Sequence, residues 1–249
     1  MLSKNTVKFI KSLHQKKYRI SSQRFFVEGE KSVLEVLHSN FLVETLFATT
    51  QFLEKHEGML SRMNLEIQEA SQKQLEAMGF YQSNDMALAL VKMKENLPII
   101  PEKGDWVVAL DDVRDPGNLG TIIRIADWYG IRKLFFSNQT ADFYNPKVIQ
   151  ASMGSFCRVD FSYGDLFSWI KNYEGPIYGA FMDGENIHGF QEIKAGVLVM
   201  GNESNGVSKE IESLVTQKLA IPSFGQAESL NVAIATAILC DNLKRLEKH

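Results

Sequence analysis

Three short stretches of the chain combine polar side chains with glycine or other small residues, next to apolar runs. Residues 115–124 read Asp-Pro-Gly-Asn-Leu-Gly-Thr-Ile-Ile-Arg, residues 201–206 read Gly-Asn-Glu-Ser-Asn-Gly, and residues 229–233 read Ser-Leu-Asn-Val-Ala. Glycine lets the backbone turn tightly and approach a ligand closely, so main-chain N–H and C=O groups become available for binding. The polar side chains there that could take part in chemistry are Asn118, Arg124, Glu203, Ser229 and Asn231.

Arg124 is surrounded by apolar neighbours in the sequence. Ile122, Ile123, Ile125 and Ala126 predict that it lies in or beside a buried helix face. A guanidinium in such a place needs an anionic or carbonyl partner. The sequence leaves two kinds of partner open, a protein carboxylate in a structural salt bridge or a phosphate of a bound substrate.

Simpler roles are also open at the other positions. Asn118 and Ser229 each stand near the start of a predicted helix, where either side chain could serve as a cap. Glu203 is the one ionisable residue of a segment that could be a solvated turn. Taken one at a time, these residues do not distinguish structural roles from chemical ones.

The elements predicted around the three stretches bring them to one edge of a sheet. In the second half of the chain, short apolar strands alternate with helices, which indicates a parallel sheet covered on both faces. The stretches follow predicted strands that end at Leu110, Met200 and Ile221. Ligands of such sheets bind beyond the carboxyl ends of the strands. The helix from about Leu230 onward is apolar nearly all round, which predicts that it is buried.

The first part of the chain predicts a separate small α/β unit. Four strands alternate with helices before residue 94, enough for a layer with its own core. Residues 97–104 then contain two prolines and a glycine, which is typical of a stiff connector. We therefore expect domains at residues 1–97 and 105–249, joined by a linker at residues 98–104.

Composition excludes several classes of protein. Of the 249 residues, 45% are hydrophobic and 23% are charged, as in ordinary globular proteins. No apolar run is long enough for a membrane span, and the N-terminus lacks the apolar core of a signal peptide. The two cysteines are far apart, and no cluster has the spacing of metal ligands. We expect a cytoplasmic protein with free thiols and no metal.

The charge distribution is uneven along the chain. The net charge is −3, yet the first 24 residues carry seven lysines and arginines and no acidic residue. A local positive excess of this size either attracts a phosphate backbone or is a solvated helix face. The candidates for nucleic-acid contact are Lys16, Lys17, Arg19 and Arg24.

Together, the three stretches resemble the SpoU (TrmH-like) family of RNA ribose 2′-O-methyltransferases. The resemblance lies in Asn118-x-Gly120-x-x-x-Arg124, in the Gly-Asn-Glu-x-x-Gly of residues 201–206, and in residues 229–233. It spans the whole second domain. Residues 25–33 resemble, more loosely, the substrate-binding domain of the family, which is similar to ribosomal protein L30e.

The resemblance implies a fold and an activity. The fold would be α/β, with a C-terminal parallel-sheet domain containing a deep trefoil knot (the SPOUT superfamily), preceded by a small L30e-like α/β domain. The protein would bind S-adenosylmethionine, form a homodimer through the knotted domain and methylate a ribose 2′-hydroxyl in structured RNA. The L30e-like domain favours 23S ribosomal RNA over transfer RNA, by analogy.

Two other activities remain open at this point. A knotted methyltransferase acting on a base nitrogen usually calls for a carboxylate base, and Asp111, Asp112 and Asp115 are candidates. A non-catalytic RNA-binding protein with a vestigial knot is the other possibility. The intact motif residues favour a ribose methyltransferase over both.

The resemblance also implies a role for each site residue. Arg124 would assist removal of the 2′-hydroxyl proton, or hold the adjacent RNA phosphate and stabilise the developing alkoxide. Asn118 and Asn231 would orient Arg124 and the ribose, while Glu203 and Ser229 hold the loops. The residues expected to contact the cofactor are Met200, Gly201, Asn202, Ile221, Ser229 and Leu230.

Overall fold

A computed structural model describes residues 2–247, and its internal contacts divide the chain between two units. The N-terminal unit contains the chain up to Glu95 together with Asp142–Cys157. The C-terminal unit contains Asn96–Ala141 and the chain from Arg158 onward. The segment Asp142–Cys157 therefore lies with the N-terminal unit although it comes later in the sequence.

The N-terminal unit is built on a small mixed sheet. Its strands, in the spatial order β1-β4-β2-β3, are antiparallel except for the parallel pair β2 and β3. The strands are β1 (Arg24–Glu28), β2 (Val43–Ala48), β3 (Glu66–Glu69) and β4 (Ala87–Lys92). The helices of this part are α1 (Lys4–Ser12), α2 (Lys16–Ser22), α3 (Glu30–Leu37), α4 (Thr50–Lys55), α5 (Glu57–Leu60) and α6 (Gln72–Met78).

The basic start of the chain forms two helices, where the sequence predicts one over residues 5–17. The guanidinium of Arg19 explains the break. Its Nη1 donates to the main-chain oxygens of Leu13, at 2.7 Å, and His14, at 3.0 Å. These carbonyls lie at the end of α1, and a charged donor satisfies them in place of a continuing helix.

Glu28, at the end of β1, is a buried carboxylate with a structural role. It is 6% exposed and accepts hydrogen bonds from the main-chain N–H groups of Phe80, at 2.8 Å, and Tyr81, at 3.0 Å. These bonds fix the loop that follows α6. Burial raises the pKa of the Glu28 carboxyl from 4.5 to about 6, because the charged form loses its solvation.

The C-terminal unit is a six-stranded sheet, and the prediction that it is parallel is confirmed. The spatial order is β10-β8-β9-β5-β6-β7, with every neighbouring pair parallel. The strands are β5 (Val107–Leu110), β6 (Lys133–Ser137), β7 (Asp160–Gly164), β8 (Ile177–Asn186), β9 (Val197–Met200) and β10 (Gln217–Ala220). The helices along this part of the chain are α7 (Pro116–Trp128), α8 (Pro146–Ser152, in the N-terminal unit), α9 (Leu166–Lys171), α10 (Lys209–Glu212) and α11 (Val232–Leu246).

The closing helix α11 is buried on one face only. Val232 and Leu239 face the core, but Ile234 is 52% exposed, so the single chain covers only one side of the helix that the sequence predicts to be buried. The cap also differs from the sequence expectation, because Asn231 caps α11 and Ser229 does not. Cys240 lies on the buried face, where desolvation raises the pKa of its thiol to about 12.

Two properties of residues 2–247 bear on function. None of their helices is long and apolar enough to cross a membrane. Within the same residues, no group of three or more His, Cys, Asp or Glu side chains has the arrangement of a metal site.

Candidate active site

The parallel sheet brings the polar stretches to one edge. Strands β5 and β9 are paired so that Leu110 lies opposite Met200, and both end there. The next residue, Asp111, donates its N–H to the Met200 carbonyl at 2.9 Å. Its carboxylate accepts a 2.7 Å hydrogen bond from the N–H of Ser208. The loop after β9 is therefore fastened to the loop after β5.

A cavity of about 840 Å³ opens beside these loops. This volume lies in the range of small-molecule and cofactor sites. Its walls come from the middle of β8, from the ends of β9 and β10 with the loops that follow them, and from the start of α11. All six residues expected to contact the cofactor line it, namely Met200, Gly201, Asn202, Ile221, Ser229 and Leu230.

The loop after β9 is closed by glycines. A Cβ atom at Gly201 would lie 2.1 Å from the Gly206 carbonyl carbon and 2.1 Å from the Val207 nitrogen, so no larger residue fits. Gly206 has a φ of +67°, a conformation that other residues rarely adopt. Asn202 and Gly206 exchange two main-chain hydrogen bonds of 2.9 Å across the loop. The result is a tight turn that forms one wall of the cavity.

One hydrogen-bond network joins the three polar stretches. The Asn118 side-chain N–H₂ donates to Glu203 Oε1 at 3.0 Å. The Asn118 side-chain oxygen accepts from Asn231 Nδ2 at 2.9 Å. The capping role open to Asn118 is taken by Asp115, whose Oδ1 accepts from the Asn118 N–H at 2.8 Å. Because α7 already has a cap, the Asn118 side chain is available to link Glu203 and Asn231.

Arg124 does not belong to this network. The residue is exposed on α7, while Ile122 and Ile123 are fully buried. Within residues 2–247 its guanidinium makes no hydrogen bond or ion pair. Of the two positions that the sequence allows, in or beside a buried helix face, Arg124 takes the second, because its side chain points away from the face that packs on the sheet. The structural salt bridge that the sequence left open is not formed within the described residues. An exposed guanidinium without a protein partner is free to bind an anion bidentately.

Ser229 lies in the exposed loop that leads into α11 and lines the cavity. It is separated by one residue from Asn231, which both caps α11, accepting from the Ala233 N–H at 2.9 Å, and reaches Asn118. The structure thus brings Asn118, Glu203 and Asn231 into direct contact, and leaves Ser229 and Arg124 outside that contact.

The basic residues near the N-terminus divide into two groups. Lys16 and Lys17 are exposed, and Lys17 Nζ lies 4.7 Å from the centre of the Tyr18 ring. Arg24 is half-exposed and forms an ion pair with Glu44. Arg19 is 1% exposed and bound to Asp142 at 2.5 Å, so its predicted contact with RNA is not retained.

The aspartates after β5 all have structural partners. Asp111 is buried and holds the Ser208 N–H, and Asp115 caps α7. Asp112 forms a forked ion pair with Arg114. A free carboxylate base is thus not available among them. Arg114 was not among the site residues predicted from the sequence. Its position two residues after Asp112 was the signal that could have indicated the ion pair between them.

The comparison with known families agrees with this site. Residues 105–241 match the SpoU rRNA Methylase family. The chain belongs to this family. Residues 4–89 match the MRM3-like substrate binding domain. The residues that line the cavity lie within the first match, and the N-terminal mixed sheet lies largely within the second.

Relatives of the SpoU family match over nearly the whole chain. The 23S rRNA (guanosine(2553)-2′-O)-methyltransferase RlmP of Bacillus subtilis is 31% identical over 245 residues, covering 96% of this chain and 95% of its own. The AdoMet-bound rRNA methyltransferase of Sinorhizobium meliloti superimposes with a TM-score of 0.87 at 30% identity, over 98% of this chain and 96% of that one. A TrmH-family protein from Porphyromonas gingivalis gives a TM-score of 0.84 at 35% identity, covering 98% and 99% of the two chains.

Proposed function

We propose that this protein transfers the methyl group of S-adenosylmethionine to a ribose 2′-hydroxyl of 23S ribosomal RNA. The observation that carries the proposal is the Glu203–Asn118–Asn231 network at the edge of the cavity, with the unpaired Arg124 on the same helix as Asn118. Membership of the SpoU family and the activity of the Bacillus subtilis relative support the same reaction.

The cavity suits the proposed cofactor. Gly201 is a position where a Cβ atom would collide with the opposite side of the loop, so the tight turn that forms one wall of the cavity depends on glycine there. Apolar side chains of Met200, Ile221 and Leu230 would enclose the adenine, and Asn202 and Ser229 would hold the polar parts. When bound, S-adenosylmethionine supplies a methyl group activated by the sulfonium leaving group.

The protein side chains have to align the ribose and manage one proton. A guanidinium stays protonated, so Arg124 is a poor base. It instead holds the RNA phosphate next to the target ribose and stabilises the alkoxide that develops as the 2′-hydroxyl attacks the methyl carbon. The carbon–sulfur bond of the cofactor breaks, and the hydroxyl proton passes to solvent, to which Arg124 and Glu203 are exposed. Asn118 and Asn231 orient the ribose; the contact with Arg124 expected of them is absent, since the Arg124 guanidinium makes no hydrogen bond within residues 2–247. Glu203 and Ser229 keep the loops in register, Glu203 through its bond with Asn118.

The N-terminal unit supplies the RNA-binding surface in this proposal. Along the sequence, residues 1–97 form the substrate-binding domain, residues 98–104 the linker and residues 105–249 the catalytic domain, of which the segment Asp142–Cys157 belongs structurally to the N-terminal unit. Lys16, Lys17 and Arg24 track the RNA backbone. The match of residues 4–89 to a substrate-binding domain supports this assignment.

We further propose that the SpoU domain contains a deep trefoil knot, that two copies dimerise through it, and that the protein is cytoplasmic. Exposed apolar side chains on two packed helices support the dimer, since Trp128 on α7 is 80% exposed and Ile234 on α11 is 52% exposed. Light scattering tests it directly. The wild type should be a dimer and Trp128→Asp a monomer, whereas a monomeric wild type contradicts the proposal.

Methyl transfer from tritiated S-adenosylmethionine tests the activity. The substrates are an unmodified 23S rRNA transcript and, separately, unmodified transfer RNA, each digested to nucleosides after reaction. A labelled 2′-O-methylnucleoside from 23S rRNA supports the proposal. A labelled 2′-O-methylnucleoside from transfer RNA alone identifies transfer RNA as the substrate instead. A base-methylated nucleoside contradicts the proposed reaction, and the absence of product with either RNA indicates a non-catalytic RNA-binding protein.

A further inference from the structure

Arg114 forms an exposed ion pair in the loop between β5 and α7. It follows β5 and immediately precedes Asp115, the cap of α7. Its Nε and Nη2 donate to the two carboxylate oxygens of Asp112, each at 2.8 Å. The Arg114 side chain is 67% exposed and that of Asp112 26%. Exposed pairs of this kind contribute little to stability, so another anion can take the place of the carboxylate.

Asp112 is held in an unusual conformation by two neighbouring loops. Its φ is +63°, in the left-handed region that non-glycine residues seldom adopt. Its N–H donates to Ser137 Oγ at 2.9 Å, and its carbonyl accepts from Asn202 Nδ2 at 2.7 Å. The second bond is notable because Asn202 lines the cofactor cavity. The carboxylate that holds Arg114 is therefore positioned by the wall of the cofactor site.

Arg114 lies beside the network and is the cation among the carboxylates of Asp112, Asp115 and Glu203. Asp115, the next residue, directs its N–H toward Glu203 at 3.5 Å, and Glu203 binds Asn118. The third nitrogen of the guanidinium, Nη1, makes no hydrogen bond within residues 2–247. The planar fork that fits a carboxylate fits two oxygens of a phosphate equally well.

We propose that Arg114 binds an RNA phosphate beside the target ribose, and that Asp112 holds the guanidinium in place until RNA displaces the carboxylate. The inference rests on the proposed function, since it needs an RNA substrate at this site. Arg114 is a binding residue in this scheme and takes no part in proton transfer. It therefore affects the affinity for RNA, while Arg124 affects the methyl-transfer step.

The test compares Arg114→Ala with a matched control, Arg158→Ala. Arg158 also forms a forked pair with an aspartate, with Nε 3.0 Å and Nη2 2.9 Å from Asp127 Oδ2. Asp127 lies twelve residues after Asp115 along α7, or about 18 Å at the rise of a helix. The control thus removes the same kind of pair far from the site.

For Arg114→Ala we expect the KM for a 23S rRNA transcript to rise about tenfold, as for loss of one charged hydrogen-bonding contact. The slope of log affinity against log salt should fall by about 0.7 to 0.9, the value of one phosphate contact. The kcat and the affinity for S-adenosylhomocysteine should stay within about twofold of the wild type. Arg158→Ala should change none of these quantities.

A double-mutant cycle tests the role of Asp112. Asp112→Asn keeps a residue type that tolerates the left-handed conformation and removes the competing charge. It should strengthen RNA binding about threefold in the wild type and leave it unchanged in Arg114→Ala. An equal gain in both backgrounds, or an unchanged KM and salt slope in Arg114→Ala, overturns the inference.

The outcomes also separate this inference from the proposed function. If the wild type methylates RNA and the Arg114→Ala variant has a normal KM and salt slope, only the role of Arg114 is refuted. A wild type that neither binds nor methylates RNA overturns both.

Discussion

Replacing Asn118 by aspartate tests whether the Glu203–Asn118–Asn231 network positions the substrate. The new carboxylate keeps the oxygen that accepts from Asn231 but loses the donor to Glu203. A hydrogen bond to a charged group contributes about 1.5 kcal/mol at the lower end, which suits an exposed site. At the 3.0 Å separation of the two side chains, like charges in water add a repulsion of about 1.4 kcal/mol. The total cost is about 3 kcal/mol. If the whole of this cost raises the free energy of the transition state, kcat/KM falls by about two orders of magnitude.

A second substitution makes the test specific. In Asn118→Asp combined with Glu203→Gln, the amide at position 203 can donate to the carboxylate at 118, which restores one bond with its direction reversed. The double variant should therefore be faster than Asn118→Asp alone, in initial rates of tritiated methyl transfer to a 23S rRNA transcript. If Asn118→Asp stays within about threefold of the wild type, or if Glu203→Gln lowers its rate further, the network does not act as described.

Three further predictions follow from single features of the structure. Because the pKa of Glu28 is raised, the wild type loses stability as the pH rises from 4.5 through about 6. Glu28→Gln should therefore stabilise the N-terminal unit more at about pH 8 than at about pH 5, by up to about 2 kcal/mol. Hydrogen exchange of the β1 amides measures this difference, and an equal effect at both pH values contradicts the prediction. Gly201→Ala should abolish binding of S-adenosylmethionine in calorimetry, since its Cβ would meet backbone at 2.1 Å, whereas Gly225→Ala, with no atom within 4 Å of its Cβ, should bind normally. Reversing the charges of Lys16 and Lys17 should weaken RNA binding and flatten its salt dependence, and an unchanged salt slope would remove both from the RNA surface.

Local patterns in the sequence were sufficient for most of the architecture. Alternating apolar strands and helices predicted the parallel sheet, and the positions of the polar stretches after Leu110 and Met200 placed them at its carboxyl edge. Both inferences depend only on periodicity and on the geometry of parallel strands. The break between α1 and α2 was missed because it depends on Arg19, whose partner Asp142 is 123 residues away. A sequence pattern within one helix carries no information about such a contact.

The sequence predicted which residues belong to the candidate site, but not which of them form hydrogen bonds with one another. Asn118 could have been a cap, and only the structure assigns that role to Asp115 and so frees Asn118 for Glu203 and Asn231. The sequence also left open whether Arg124 lies in or beside the buried face, because apolar neighbours do not reveal which face of α7 packs on the sheet. The exact set of contacts depends on how three loops meet at the sheet edge, which spacing along the chain does not determine.

The most direct test of the central proposal is the effect of Arg124→Ala on two quantities measured with the same preparation. Calorimetry gives the affinity for S-adenosylmethionine, and single-turnover assays give the rate of methyl transfer to a 23S rRNA transcript. The affinity should stay within about twofold of the wild type, while the rate should fall at least about a hundredfold, as for loss of a group that stabilises developing charge. Methyl transfer at close to the wild-type rate would contradict the assignment of Arg124 to the reaction.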